Sequence, residues 1–297
     1  MTLEQLRIFI AVAERQHMTQ ASEALALSQS AVSHAIMTLE NSFGVRLFDR
    51  IGRRILLTDT GRVFLQEARA VQARALAARE CLEELGGLRA GSLHVWASQT
   101  LASYWLPARL NRFAALYPDV KLGMTISNTD EICARLGDGT IGFGLIEGSA
   151  SLASLCTERL ARDQLLLVVS PDHPWAAKVP GTTELHKTPW ILREKGSGTR
   201  ASFENALCSW GILPESLDIV MELTSNEAIA TMISTGLAAT VLSASVVSGL
   251  IENGLLCPVS IAFPDRHFTL ARGERSLSPA EQAFCTLLRS QHLPEER

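Results

Sequence analysis

Residues 19–61 read TQASEALALSQSAVSHAIMTLENSFGVRLFDRIGRRILLTDTG. Ser28 stands just before a run in which Ala31, Val32, Ala35, Ile36 and Leu39 recur at helical spacing. A helix is therefore expected over Gln29–Ser42, with Ser28 as its N-cap and those five side chains as its buried stripe. Gly44 is placed to end it. Upstream, Thr19 is a candidate cap for a short helix, Gln20–Leu25, and Ala26-Leu27-Ser28 is the break between the two helices. Downstream, Leu47–Arg50 and Ile55–Thr58 read as short strands joined by Ile51-Gly52-Arg53-Arg54. Further out, Leu3, Leu6, Phe9, Ile10, Val12 and Ala13 mark an amphipathic first helix over residues 2–15. Helix, short helix, tight turn, helix and hairpin make a winged helix-turn-helix.

The face of the third helix opposite its stripe presents Gln29, Ser30, Ser33, His34 and Met37, and no acid lies between Gln29 and Leu39. A merely solvated face normally carries some acids. Small polar groups that both donate and accept suit base edges in the major groove, which makes Gln29, Ser30, Ser33 and His34 candidate DNA contacts. Arg46, Arg50, Arg53 and Arg54 against Asp49 give +3 in nine residues. Arg50, Arg53 and Arg54 on the hairpin are expected to grip phosphates or enter the minor groove. The chain as a whole carries −4, but residues 1–89 hold 11 Arg and 10 acids, net +1, and the first Lys is Lys121. Every cation of that third is therefore the side chain best shaped for phosphate and guanine.

From Thr58 a long helix is expected to about Leu85, stopped by Gly86-Gly87. Phe64, Ala68, Val71, Ala75, Ala78, Leu82 and Leu85 fall at spacings of four and three, an a/d seam that predicts self-association through a coiled coil. Beyond the glycines the period changes. Strands at Leu93–Ala97, Lys121–Ile126 and Ile141–Ile146 alternate with helices at Trp105–Tyr117 and Thr129–Leu136, predicting a parallel sheet covered on both faces. A second α/β run follows, with strands at Leu165–Val169, Trp190–Leu192, Leu217–Met221 and Ala238–Leu242 and helices at Thr199–Trp210 and Asn226–Thr235. Strand His267–Ala271 and helix Pro279–Gln291 close the chain. Two lobes with crossings near Arg162–Asp163 and Asp265–Arg266 are implied, and a cleft between such lobes is the natural ligand site.

Two strand-to-helix turns, Ser98-Gln99-Thr100 and Gly196-Ser197-Gly198-Thr199-Arg200, offer hydroxyls, free N–H groups and a positive helix end, which suits capture of a small anion. Asn128, Thr129 and Asn226 stand at comparable turns. Glu147 would repel a bare anion; it is left to accept a ligand hydroxyl or amine, or to bind Arg across the cleft.

Other classes find little support. There is no GxSxG, HExxH or Walker loop, no spaced GxGxxG after the first strand, and no spacing links Ser, His and Asp into a triad, so no catalytic residue, metal ligand or cofactor is expected. Cys81, Cys133, Cys156, Cys208, Cys257 and Cys285 form no CxxC pair and read as buried thiols of a reducing compartment. Ala228–Ile251 is uncharged over 24 residues but carries seven Ser or Thr, so it reads as an interior segment rather than a membrane span. A solute-binding protein without DNA function is the alternative; the N-terminal module and the absence of a signal-peptide pattern argue against it.

The order SQSAVS, LE, LFDR and LT…G resembles the N-terminal signature of LysR-type transcriptional regulators. ASQTLASYWLP, SNTDEI, GLIEG, LREKGSGTR and TSNEAI resemble the branch controlling sulfur assimilation and carbon fixation. His17-Met18 and His34 depart from the usual residues at their positions. The resemblance implies a winged helix-turn-helix over 1–58, a linker (dimerisation) helix over 59–89 and a periplasmic-binding-protein-like α/β effector domain over 90–297. The lobes of that domain would be 90–163 with 267–297, and 164–266. It further implies a cytoplasmic homodimer or homotetramer that binds promoter DNA, answers to a small effector such as a sulfite-like or phosphate-bearing anion, and works with RNA polymerase. Effector binding would close or twist the lobes.

Overall fold

The computed structural model describes residues 1–51, 54–85, 91–148 and 154–289, without the side chains at 50, 51, 54, 76, 77 and 79–85. It divides into two compact units, Met1–Gly87 with Asp138–Ile141, and Leu88–Gly137 with Gly142–Arg297.

In the first unit, α1 (Leu3–Arg15) opens with a reciprocal capping box between Thr2 and Gln5. Helix α2 (Met18–Leu25) begins two residues earlier than its periodicity suggests, because His17, not Thr19, is the N-cap: its Nδ1 accepts from Gln20 N at 3.5 Å. Helix α3 (Gln29–Phe43) is capped by Ser28, whose Oγ accepts from Ala31 N at 3.2 Å, and it ends at Gly44 in the left-handed region. Strands β1 (Phe48–Ile51) and β2 (Arg54–Leu57) form the antiparallel hairpin. Helix α4 (Asp59–Leu85) follows. The core gathers Phe9 between Phe48 and Phe64, ring centroids 5.3 and 4.9 Å away, over Val32, Ile36 and Leu39. Ala31, expected in the buried stripe, is exposed, and Ala35 is half-buried.

The signature residues of the quoted stretch are the joints of this unit. Glu40 Oε1 accepts from Leu47 N at 2.7 Å and Phe48 N at 3.2 Å, so α3 holds the start of the hairpin. Thr58 Oγ1 donates to Arg46 O at 2.8 Å and accepts from Gly61 N at 2.9 Å, so the end of the hairpin also starts α4. A Cβ at Gly61 would lie 2.1 Å from Leu47 O, a contact no side chain tolerates. On α4, Ala68 is buried and Phe64 packs on the core, whereas Val71 and Ala78 are exposed and Ala75 is half-buried. Leu82 and Leu85 fall outside the described side chains.

The second unit contains two five-stranded sheets. The first has β3 (Ser92–Ser98), β4 (Lys121–Ser127), β5 (Phe143–Glu147), β6 (Cys156–Asp163) and β12 (Arg266–Arg272), with α5 (Leu106–Leu116), α6 (Thr129–Gly137) and α11 (Pro279–Arg289). The second has β7 (Leu165–Val169), β8 (Pro189–Arg193), β9 (Asp218–Leu223), β10 (Ala239–Ser243) and β11 (Cys257–Val259), with α7 (Pro174–Ala177), α8 (Gly198–Ser209), α9 (Asn226–Ser234) and α10 (Ala244–Glu252). Their orders are β4-β3-β5-β12-β6 and β11-β7-β10-β8-β9.

The first sheet is not the wholly parallel one expected, and the second is mixed as well. β4, β3 and β5 are parallel, but β12 runs antiparallel to both β5 and β6; β7 runs antiparallel to β10 and β11. The physical reason is the crossing of the chain between sheets: β6 leaves the first sheet at Asp163, β7 enters the second at Leu165, and β12 returns at Arg266. The returning strand meets its neighbours head to tail. Apolar side chains pack against each sheet, including Phe113, Phe143 and Phe284 in the first, and Trp190, Phe203 and Val241 in the second.

Candidate functional site

On α3, Gln29, Ser30 and His34 are exposed and Ser33 is half-buried. Ser30 Oγ lies 3.0 Å from Ser28 Oγ, so the first turn of the helix is tied to its own cap. Ala31 and Met37 are exposed beside them, Met37 by 51%, adding an apolar strip that faces outward. The face is uncharged and contoured, which is what contact with base edges and thymine methyls requires. Arg50 and Arg54 pair through their backbones with Ile55 and Ile51. Their side chains, and Arg53 altogether, lie outside the described residues.

In the second unit the sequence-selected turns converge on one carboxylate. Glu147 ends β5 and is fully buried. Its Oε1 accepts from Ser98 Oγ at 2.9 Å and Thr100 N at 3.3 Å; its Oε2 accepts from Thr199 Oγ1 at 2.6 Å and from Arg266 Nη1 at 3.2 Å. Ser98 and Thr100 belong to the first sheet's side and Thr199 to the start of α8 in the second. The donors read as an anion trap are thus filled by the protein's own anion. Burial pushes the Glu147 pKa up, but the Arg266 charge, hydrogen bonds from Thr199 and Thr100, and the Arg193 charge outweigh it, so the carboxyl sits below its ordinary range. Gly198 makes the approach possible: a Cβ there would lie 2.5 Å from Glu147 O and 2.7 Å from Thr129 Oγ1.

Arg266 binds both crossings of the chain. Its Nε donates to Asp163 Oδ2 at 2.8 Å, its Nη2 also pairs with Asp163, and its Nη1 reaches Thr199 Oγ1 at 3.0 Å. Asp163 Oδ1 further accepts from Ser243 Oγ at 2.6 Å. Sequence reasoning named residue 266 only as part of a crossing. Nothing in its local pattern signals a partner 119 positions away.

A second set of bonds seals one side of the cleft. Gln99 Oε1 accepts from Asn226 N at 2.8 Å, and Gln99 Nε2 donates to Glu227 Oε2 at 2.7 Å. Asn226 Nδ2 donates to Thr100 Oγ1 at 3.1 Å, while its Oδ1 accepts from Arg193 Nη1 at 2.8 Å. Tyr104 Oη donates to Glu227 Oε1 at 3.1 Å. Asn128 serves as a helix cap, Oδ1 accepting from Glu131 N at 2.9 Å. Ser197 is buried at the start of α8 and makes no side-chain capping bond. Arg200 is kept apart from this cluster: it pairs with Glu204 at 2.7 Å and Glu222 at 2.6 Å and donates to Arg193 O.

Beside Glu147 lies a cavity of about 480 Å³ between the sheets, within the size range of small-molecule sites. Thr129 and Glu147 line it, joined by Asp130, Arg159, Ser202, Asn205, Arg266 and His267, which sequence reasoning did not select. Thr129 Oγ1 is buried without a hydrogen-bond partner among the described residues. Arg159 has no ion-pair partner among them.

An N-terminal winged helix-turn-helix and a separate two-sheet unit with a polar cavity between its sheets define a DNA-binding regulator with a ligand-sensing domain. Residues 3–62 match the bacterial regulatory helix-turn-helix protein, lysR family, and residues 86–292 match the LysR substrate binding domain. The chain is 34% identical over 286 residues to the HTH-type transcriptional regulator YeiE of Escherichia coli K12, covering 95% of each. It is 31% identical over 288 residues to the RuBisCO operon transcriptional regulator of Allochromatium vinosum, covering 95% of this chain and 94% of that one. Full-length CbnR in complex with target DNA superposes with a TM-score of 0.68 at 23% identity over 98% of this chain and 99% of CbnR. The regulatory domain of Synechocystis PCC6803 CcmR in complex with 2-PG gives 0.60 at 26% identity, covering 67% of this chain and 96% of that domain. The chain belongs to the LysR family of DNA-binding transcriptional regulators, with an N-terminal DNA-binding module and an effector-binding domain. Its relatives include regulators of carbon-fixation genes, the branch its sequence resembles. No helix among the described residues is long and apolar enough to cross a membrane.

Proposed function

We propose that this regulator reads promoter DNA through Gln29, Ser30, Ser33 and His34 of α3, with Arg50, Arg53 and Arg54 of the hairpin on the flanking backbone, and that a small anionic effector binds in the cavity beside Glu147. The observation that carries the effector reading is the cavity itself. Arg159 and the unpartnered Thr129 hydroxyl stand on its wall, while Arg266, Glu147 and Gly198 link it to both sheets. An anion seated there meets Arg159 directly and perturbs Arg266, whose bonds run to both crossings. Ser98, Gln99, Thr100, Thr199 and Asn226 then act by holding the sheets together around Glu147. Asn128, Ser197 and Arg200 support those turns from outside.

The domains are taken as 1–58, 59–89 and 90–297. Self-association as a homodimer or homotetramer is supported by the outward Val71 and Ala78 of α4, and by Leu122, Met124 and Ile126, exposed by 38–52% on the edge strand β4. The reading is of a cytoplasmic, non-catalytic protein that acts with RNA polymerase.

The test is calorimetric titration of the full-length protein with 2-PG, sulfate and inorganic phosphate, repeated on Arg159→Ala. Saturable binding of at least one anion, weakened about tenfold or more by the loss of a charged hydrogen bond, is the expected result. Equal affinity in the variant, or no binding of any of the three, overturns the assignment.

A further inference from the structure

A second cavity, of about 570 Å³, lies in the first sheet's half of the ligand-sensing unit and shares no lining residue with the one beside Glu147. Its walls are the start of β6, the end of β12, the segment after it, and one face of α11, where Gln282, Cys285, Thr286 and Arg289 follow at helical spacing. Three guanidinium groups line it: Arg272, Arg275 and Arg289.

Their engagement is incomplete. Arg275 has a side chain only 9% exposed; its Nη2 pairs with Glu281, while its Nε is buried with no hydrogen-bond partner. Arg289 spends its Nε on both oxygens of Glu158, at 3.0 and 2.9 Å. Arg272, half-buried and opposite Cys156 across the β12–β6 ladder, has no carboxylate partner among the described residues. With Glu281 and Glu158 included, the cluster keeps one net positive charge. Arg272, Arg289 and Cys285 all line this one cavity, and burial holds the Cys285 thiol up at about 11. A buried guanidinium with an unused N–H is costly unless something accepts from it. Guanidinium forks match the oxygens of a phosphate or sulfate group in pairs.

We propose that this cavity is a second ligand site, separate from the effector cavity, that takes a small molecule bearing a phosphate or sulfate dianion, with Arg272 as its principal contact. The group sits between Arg272 and Arg289, takes the unused N–H groups, and leaves the remainder of the molecule against Leu277 and Thr286. Because β12 also carries Arg266 at its other end, occupancy bears on a strand shared with the effector cavity.

Cys133 and Cys285 are buried as expected of the cysteines, but Cys156 and Cys208 are exposed, Cys156 because it opens the edge strand β6; on the wall of this cavity it provides a specific readout. In full-length protein with Cys81, Cys208 and Cys257 replaced by Ser, the rate of Cys156 modification by a thiol reagent is measured against inorganic phosphate and, separately, sulfate, at constant ionic strength. The expected result is saturable protection by at least one of the two anions, with the half-protecting concentration raised about tenfold or more in Arg272→Ala, partly restored in Arg272→Lys, and unchanged in Arg159→Ala. Absence of protection by either anion at 10 mM, a figure set at about the weak end of specific binding, overturns the site. So does protection identical in Arg272→Ala. Protection lost in Arg159→Ala but kept in Arg272→Ala would assign the effect to the effector cavity and also overturn it.

Discussion

Arg266 and Glu147 meet at 3.2 Å, both side chains at most 3% exposed, and through that contact the strand returning from the second sheet is bonded to the end of β5 in the first. Asp163, the last residue of the outgoing strand β6, is held by the same guanidinium. The carboxylates that end the two strands flanking β12 therefore share one cation.

Removing that cation should be severe. Arg266→Ala leaves Glu147 and Asp163 buried without their common partner and should lower stability by about 3–5 kcal/mol. Glu147→Gln keeps the shape but turns one of the two acceptor oxygens into a donor amide, so it retains the bonds to one side only; because Arg266 still neutralises Asp163, it should cost less than Arg266→Ala. Urea unfolding followed by tryptophan fluorescence measures both; a loss below about 1 kcal/mol for Arg266→Ala, the range of exposed pairs, would contradict the assignment.

The Glu147 carboxyl titrates below its ordinary 4.5 in the folded protein, so the unfolded chain takes up its proton first. Its contribution is present above that ordinary value and is lost as pH falls through the lower, folded one. His173 behaves with the same sign in a different window. Burial lowers its pKa from 6.5, and both ring nitrogens are committed, Nδ1 accepting from Trp175 N and Nε2 lying 2.9 Å from Thr188 Oγ1. Stability attributable to His173 is present above pH 6.5 and declines as the pH falls below it. The melting temperature of His173→Gln should therefore depend less on pH between about 7 and 5 than that of the wild type.

Thr199→Ala removes the 2.6 Å bond to Glu147 without touching the DNA-binding unit. It should blunt the response to effector while leaving DNA affinity in the ligand-free state within about twofold, a change of less than about half a kcal/mol. Anisotropy titrations with and without effector anion separate the two quantities, and a large change in basal affinity would count against the reading.

Replacing Arg53 and Arg54 together by Ala should weaken binding to every duplex sequence and reduce the slope of log affinity against log salt by up to about 2. An unchanged slope would take the hairpin out of the interface.

Much of this was legible in the sequence, and unevenly so. Ser28, Gly44 and the apolar spacing of α3 act locally, so that helix is read nearly to its ends. His17 displaced Thr19 as the cap of α2 because an imidazole nitrogen also accepts hydrogen bonds, a possibility that cap preferences understate. The edge strand β6 went unseen because Cys156–Asp163 mixes charges with few apolar residues; β11 is three residues long and contains Pro258, at home only on such an edge. The turns around Ser98 and Thr199 were found as hydroxyl-bearing helix starts. That they would close on Glu147 was not legible, because their separations in sequence are 49 and 52 residues. Arg200 looked like a member of the same group by adjacency, but a helical step turns it toward Glu204 and Glu222.

Sequence recognition by this regulator rests on the uncharged outer face of α3. Its most direct measurement is fluorescence anisotropy of the full-length protein on its own upstream duplex and on a scrambled duplex, for wild type and for Gln29→Ala with His34→Ala. The double variant is expected to lose about 1–3 kcal/mol of discrimination per lost base contact while its affinity for the scrambled duplex stays the same. Discrimination undiminished in the double variant would contradict that role of α3.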